Sequence, residues 1–328
     1  MKIYTFDSKV LTHDSKWLKE AAIVLPARTV RAKWKSGYTP TVGLTNTLVD
    51  AGNNIWDSTI STSSWQQKFT STAIKNNLLE IIAANTKDVT NVKQCFSNCS
   101  NLTSVCSLDL TGLTTMSTQA MFQGCSALAT VGNITTSAIT SANKMFHGCT
   151  ALTRAPLFNT ASVTDMSGMF YGCTSLTFVP LYDTSSLTTV TDVNGTGMFR
   201  GCTSLVTVPN INTGSVANMS GMFYGCTSLT SIPFLDTSSA TNMSRFCQGC
   251  TSLKTIPLFD TTRVMNVNYM FMNCTNVESG ALALYTQLST QTYPPDSYTD
   301  TFTECGSNTV TGAAELAQIP TSWGGTAS

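Results

Sequence analysis

Met169-Phe170-Tyr171-Gly172-Cys173-Thr174-Ser175-Leu176 recurs as Met222-Phe223-Tyr224-Gly225-Cys226-Thr227-Ser228-Leu229, and in looser form at further places along the chain. The cysteine of this phrase falls at Cys99, Cys125, Cys149, Cys173, Cys202, Cys226, Cys250 and Cys274, at intervals of 26, 24, 24, 29, 24, 24 and 24 residues. A fixed period of this length marks a repeat array. A unit so short cannot enclose its own core, so neighbours stack and share one. Around the phrase, Val163, Met166, Met169, Phe170 and Cys173 have the spacing of one helix face, which predicts a short inward-facing helix. Thr160, Ser162 and Thr164 lie just upstream, as do Asp183-Thr184-Ser185 and Asp236-Thr237-Ser238 in later units; such side chains accept from the free amides of a first turn. Gly172 closes the helical pattern, where a positive φ is often needed. Leu176-x-x-Val179-Pro180-Leu181 then predicts a short strand. Pro156, Pro180, Pro209, Pro233 and Pro257 share one slot, read as the strand's end, where a missing donor is tolerated.

The expected fold class is therefore α/β: a leucine-rich-repeat solenoid with a short helix and a short strand in each unit of 24 residues. A small β-rich segment outside the repeats precedes it. The chain divides into an N-terminal docking segment (1–60), an N-terminal cap repeat (61–94), the array (95–279) and a C-terminal cap (280–328). In the first cap, Trp65 and Phe69 stand where Met and Phe stand later, and Leu78-Leu79-Glu80-Ile81-Ile82 replaces the Leu-x-x-Val-Pro run. A longer helix is expected from Gly280 and a closing one over Ala313–Ala317.

Hydrophobic residues make up 42% and charged residues 11% of the 328 positions, a balance that excludes a disordered chain, which would be poor in apolar residues and rich in charge. The net charge is zero but unevenly spread. Residues 1–94 hold twelve Lys or Arg against seven Asp or Glu, and residues 95–328 hold six against eleven. No apolar run is long enough to span a bilayer as a helix. The opening Met1-Lys2-Ile3-Tyr4-Thr5-Phe6-Asp7-Ser8-Lys9 carries charge where a secretory signal would be apolar, which leads to the expectation that the chain is not exported by that route.

The phrase at 169–176, the proline at 180, Asp183-Thr184-Ser185 and the same frame at 222–238 resemble the BspA-like leucine-rich repeat surface protein family, over roughly residues 65–320. The resemblance implies a leucine-rich-repeat solenoid that acts in adhesion or partner recognition, with no catalytic residue to carry over. Members occur in host-associated anaerobic bacteria and in their phages. The missing secretion signal and the basic head depart from that pattern.

The periodic cysteines read as buried reduced thiols, because stacked helices lie about 8–10 Å apart, beyond the roughly 7 Å limit for a disulfide. Cys247-x-x-Cys250 has redox or zinc spacing, but Cys247 occupies the slot of Phe170 and Phe223 and reads as core, as does Cys95. Asp183, Asp236 and Asp260 recur once per unit and read as caps rather than calcium ligands. The histidines are His13 and His147; His147 shares a variable slot with Gln123, Tyr171, Arg200 and Tyr224 and has no acid in its unit. No catalytic residue, cofactor or metal is expected.

What remains is a recognition protein. A phage virion component (fibre, decoration or receptor-binding protein) is the expectation, displayed on the virion surface, docked to other virion proteins through its head and binding a host surface protein or glycan through the array. The alternative is a bacterial surface adhesin exported by an unrecognised route. Nucleic acid is not an expected partner; a homo-oligomer is open. Candidate binding residues are Phe158, Tyr182, Leu235 and Phe259, which share the slot after Pro-x and form either an outward stripe or filling between units. Tyr171 and Tyr224 share another slot, and Asn194 lies in the loop made by the 29-residue interval. Candidate docking residues are Lys16, Trp17, Arg31 and Trp34, the last two on a segment that alternates like an exposed strand.

Overall fold

The computed structural model describes residues 4–6, 9–11, 25–40, 45–60, 64–65, 69, 71–113, 117–137 and 139–327. Strands β1 (Tyr4–Phe6) and β2 (Lys9–Leu11) pair with each other. A mixed six-stranded sheet runs in the order β4 (Thr45–Asp50), β5 (Ile55–Thr59), β3 (Thr29–Trp34), β6 (Leu78–Asn85), β7 (Ser104–Leu110), β8 (Thr130–Thr136). Pairing is antiparallel up to β6 and parallel from there on. The helices are α1 (Thr72–Asn77), α2 (Ala281–Thr290) and α3 (Val310–Leu316). The architecture is leucine-rich-repeat-like, with one core cluster running from β3 through every unit to the C-terminal helices.

Among the described residues of the array no helix forms, which corrects the expected helix-plus-strand unit. The reason is where the amides go. In the unit of Phe146, the amides of Met145, His147 and Cys149 donate to carbonyls three residues back (Ala142, Lys144 and Phe146; 3.1, 3.2 and 3.1 Å). The intervening amides of Lys144, Phe146 and Gly148 donate instead to Ser167, Met169 and Tyr171 of the next unit (3.0, 3.0 and 2.7 Å). A helix needs every amide within its own segment, and here half of them tie one unit to the next. Left-handed residues four apart, such as Lys144 (φ 53°) and Gly148 (φ 72°), produce the alternation. The result is a ladder of linked turns whose apolar side chains have helix-like spacing without a helix.

The strand half of the unit is regular only where it contains no proline. β6, β7 and β8 pair along their lengths, whereas from Arg154 onward only bridges such as Arg154↔Phe178 and Thr255↔Ser279 remain. Pro156, Pro180, Pro209, Pro233 and Pro257 fall in these later units, and a proline has no N–H for the ladder. The expected proline-ended strand is thus corrected to an irregular extended segment. Buried threonine hydroxyls link the units there: Thr160, Thr213 and Thr237 donate to the carbonyls of Asp183, Asp236 and Asp260 one unit on (2.8, 2.7 and 2.9 Å).

Inside the stack, side chains of equal rank form columns. Phe96, Phe122, Phe146, Phe170, Phe199 and Phe223 stack at centroid distances of 5.5, 5.7, 5.9, 5.8 and 5.7 Å. The longer interval between Cys173 and Cys202 does not disturb the column, so its extra residues lie outside the core. The thiols of Cys125, Cys149, Cys173, Cys202, Cys226 and Cys250 each donate to the carbonyl of a phenylalanine in the preceding unit at 3.0–3.2 Å. None of the twelve cysteines is in a disulfide. Burial pushes the Cys173 thiol up to about 12 and Cys247 up to about 11, which keeps both thiols protonated and unreactive at neutral pH.

At the N-terminal end Trp65 and Phe69 are fully buried, with Phe69 4.6 Å from Phe96. At the other end Glu315 of α3 accepts from the amides of Gly280 and Leu282 (3.3 and 3.1 Å), satisfying the free first turn of α2.

Two outcomes follow from these columns. Phe199→Ala, which opens a gap between two stacked rings, should lower unfolding stability by about 3–5 kcal/mol, read by urea denaturation. A thiol reagent at pH 8 should modify the native chain at no more than the half-exposed Cys106, and all twelve cysteines only after unfolding, read by mass spectrometry.

Candidate functional site

The extended segment after each proline alternates its side chains across the wall of the stack. Residues two past the proline, Phe158, Tyr182, Ile211, Leu235 and Phe259, are buried in the core cluster. The outward stripe expected at Phe158, Tyr182, Leu235 and Phe259 is therefore corrected: these side chains fill space between units. Tyr182 also donates its hydroxyl to the Pro156 carbonyl at 2.7 Å. The exposed slot lies one residue earlier, at Leu157 (66% exposed), Leu181 (69%), Phe234 (75%) and Leu258 (67%). A period of two makes a one-residue slip exchange the two faces. The sequence did hold a signal for the right register: the inner slot is apolar in all five units, while the outer one accepts Asn210.

Beside this apolar column runs a polar one: Asn159, Asp183, Asn212, Asp236 and Asp260, all exposed. Each side chain folds onto the amide two residues on, as Asp183 does with Ser185 (3.0 Å to the amide, 2.7 Å to the hydroxyl) and Asp260 with Thr262 (3.0 and 2.6 Å). They close turns rather than cap helices. The Ser185 hydroxyl and amide hold the Asp183 carboxyl below its usual range, and Ser238 and Thr262 do the same for Asp236 and Asp260, so the column stays charged at neutral pH. Where Asn210 interrupts the apolar column, a groove of about 470 Å³ opens between Leu181 and Phe234, bordered by Asp183, Asn212 and Asp236.

A second face is built on the turn ladder. Its variable slot carries His147, Tyr171, Arg200 and Tyr224, all partly buried. His147 and Tyr171 lie 4.5 Å apart, and the Arg200 guanidinium is 5.6 Å from the Tyr171 centroid and 4.4 Å from that of Tyr224. Burial, and then Lys144, lower the His147 pKa, against an opposing pull from Asp192. The insertion packs onto this face. Asp192 pairs with Lys144 at 2.9 Å and accepts from the amides of Asn194 (2.9 Å) and Thr196 (3.0 Å), leaving Val193 (98% exposed) and Asn194 at the tip. Beneath it, Gly168, Gly197 and Gly221 occupy a slot filled elsewhere by Ala120, Lys144, Arg245 and Tyr269. Gly168 and Gly221 have positive φ, but so do Lys144, Arg245 and Tyr269 in the same slot, so that conformation does not demand glycine there. Space does at two of the three: a Cβ on Gly168 would lie 2.7 Å from the Thr196 methyl, and one on Gly197 would strike the Gly221 backbone.

The docking residues fare differently. Arg31 and Trp34 are buried, because β3 is not an exposed strand but lies between β5 and β6, and Arg31 pairs with Asp57 at 2.7 Å. Both are corrected from docking surface to sheet interior. Lys16 and Trp17 lie outside the described residues. Among the described residues no group of three or more His, Cys, Asp or Glu is arranged to hold a metal ion, and no helix is long and apolar enough to cross a membrane.

A family model described as "Mycoplasma protein of unknown function, DUF285" matches residues 63–178, 114–207 and 193–292. The chain belongs to the DUF285 family. The matched windows of DUF285 cover the same units that carry the BspA-like leucine-rich-repeat resemblance. A leucine-rich repeat protein of T. pallidum, TpLRR, is similar in structure, with 19% identity and a TM-score of 0.35 over 66% of this chain and 90% of that one. No curated protein matches the DUF285 chain.

The insertion should respond to pH through Asp192. Burial raises its carboxyl, but Lys144 and the amides of Thr196 and Asn194 outweigh burial and leave it lowered. A carboxyl depressed below its unfolded value near about 3.9 contributes stability that is complete above that pH and is lost as pH falls through the folded value. The protection factors of the Asn194 and Thr196 amides should thus be constant at neutral pH and fall below about pH 4, whereas Asp192→Asn should show the lower protection already at neutral pH and no further drop in acid.

Proposed function

We propose that this chain is a non-enzymatic recognition protein, displayed on a surface, whose array binds an extended polypeptide segment carrying apolar and basic side chains. The observation that carries the reading is the column Leu157, Leu181, Phe234 and Leu258, each about two-thirds or more exposed, beside a column of carboxylates and amides. An exposed apolar stripe on a folded protein marks an interaction site. The neighbouring carboxylates select for cationic partners and against acidic ones. The groove at Asn210 gives room for one larger apolar side chain of the ligand. On the carrier, the family description names a cellular organism, which favours a cell-surface adhesin over a virion component.

Two measurements test this. Panning a random peptide library on the immobilised chain should enrich segments that mix apolar residues with Lys or Arg. A Leu181→Asp, Phe234→Asp double variant should bind them at least tenfold more weakly, since each buried Leu or Phe contributes about 1.5–3 kcal/mol and 1.4 kcal/mol is tenfold. Its unfolding midpoint should be unchanged, because both side chains are already in water; equal binding by the variant would sink the reading. Immunogold labelling is expected to decorate intact producing cells, and labelling confined to virus particles would return the virion reading.

A further inference from the structure

The turn-ladder face holds two guanidinium groups, Arg200 and Arg245, that are fixed by rings and carbonyl oxygens rather than by carboxylates. The array (95–279) carries six basic against seven acidic residues, and three of the six, Lys144, Arg200 and Arg245, gather on this face. Arg200 is held flat between Tyr171 and Tyr224, with its Nη1 donating to the Gly195 carbonyl of the insertion at 3.1 Å. Arg245, two units further along the phenylalanine column, lies 4.6 Å from the Tyr269 ring and donates to the Gln248 amide oxygen at 3.1 Å. Among the described residues neither guanidinium has a carboxylate partner; the ion pairs there are Arg31–Asp57, Lys144–Asp192 and Lys254–Glu278. The enclosed Nδ1 of His147, on the same column, also has no hydrogen-bond partner.

We propose that this face, with the insertion as its wall, is a second binding site, which takes the carboxylate or sulfate groups of an acidic polysaccharide. A guanidinium fixed by two rings and one carbonyl presents its remaining donors in a preset plane, and that fork matches a carboxylate or sulfate. Arg200 and Arg245 lie two units apart on a column whose rings at those steps are 5.7 and 5.4 Å apart, so they offer two cationic points along the stack, suited to a ligand with anionic groups at intervals. The groups beside them are the Tyr171 and Tyr224 phenols and the Gln248 amide, types that pair with sugar hydroxyls. A peptide would need an apolar pocket as anchor, and the apolar column described above belongs to a different slot of the repeat. Arg200 holds the insertion through the Gly195 carbonyl and Gly168 leaves room for the Thr196 methyl, so the walled part of the site lies at Arg200, with Arg245 as its continuation along the stack.

The test is binding of the full chain to hyaluronan, dextran sulfate, neutral dextran and poly-glutamate, measured by biolayer interferometry at fixed salt. The expected result is binding to at least one of the two acidic polysaccharides, none to neutral dextran, and weaker binding to poly-glutamate. Arg200→Gln should reduce the polysaccharide signal at least tenfold. Tyr224→Phe keeps the ring stack and removes only a hydroxyl, so it should fold as the parent does and lose binding several-fold. The Leu181→Asp, Phe234→Asp variant should bind polysaccharide normally, which separates this site from the peptide-binding face. Equal binding by parent and Arg200→Gln, or a preference for poly-glutamate, would overturn the proposal.

Discussion

Half of the backbone amides in each turn ladder point along the stack rather than along their own segment, and the rest of the structure follows from that division. Because Lys144, Phe146 and Gly148 donate to carbonyls of equal rank in the next unit, 23 residues ahead, any residue added between units must leave the stack for the ladder to close. The unit that spans Cys173 to Cys202 obeys the same rule by exclusion: its additional residues leave the stack, so Phe170 and Phe199 remain 5.8 Å apart. Left-handed residues four apart make the alternation possible, and neither an α-helix nor a regular strand would supply it.

The cysteines make sense only within this frame. A thiol is small and apolar enough to sit in a closed column, and it can still donate to the phenylalanine carbonyl of the preceding unit, as Cys173 does to Phe146 at 3.1 Å. That carbonyl also accepts the amide of Cys149 within its own unit, so both of its lone pairs are used. Their regular spacing reflects packing and hydrogen bonding rather than redox or metal chemistry.

Function is left to the positions that the stack does not constrain. The outer slot after each proline tolerates leucine, phenylalanine and asparagine because it faces water, and the variable slot of the turn ladder tolerates histidine, tyrosine and arginine. The insertion joins the two kinds of freedom: Gly168 leaves room for it, Lys144 and Asp192 anchor it, and it reaches the arginine that lies between two tyrosines. Recognition surfaces are thus set by departures from the repeat, on a scaffold whose repetition supplies the rigidity.

Much of this was legible in the chain itself. Periodicity alone fixed that units stack, which residues form the core columns, that the cysteines are packing, and that Trp65 and Phe69 close the N-terminal end of the column. Local spacing could not decide the conformation of Val163 to Cys173, because linked turns and a helix place apolar residues at the same intervals and differ only in where the amides donate. That choice is made by the neighbouring unit. Spacing likewise could not decide which of two adjacent residues, Leu181 or Tyr182, faces water, since alternation fixes the pattern but not its phase. Nor could it show that Arg31 and Trp34 are interior, because a strand's exposure depends on what pairs with its two edges. Sequence determined what repeats and what is buried together; only the tertiary structure decided which way each chain segment turns, because that depends on hydrogen bonds between residues far apart in the chain.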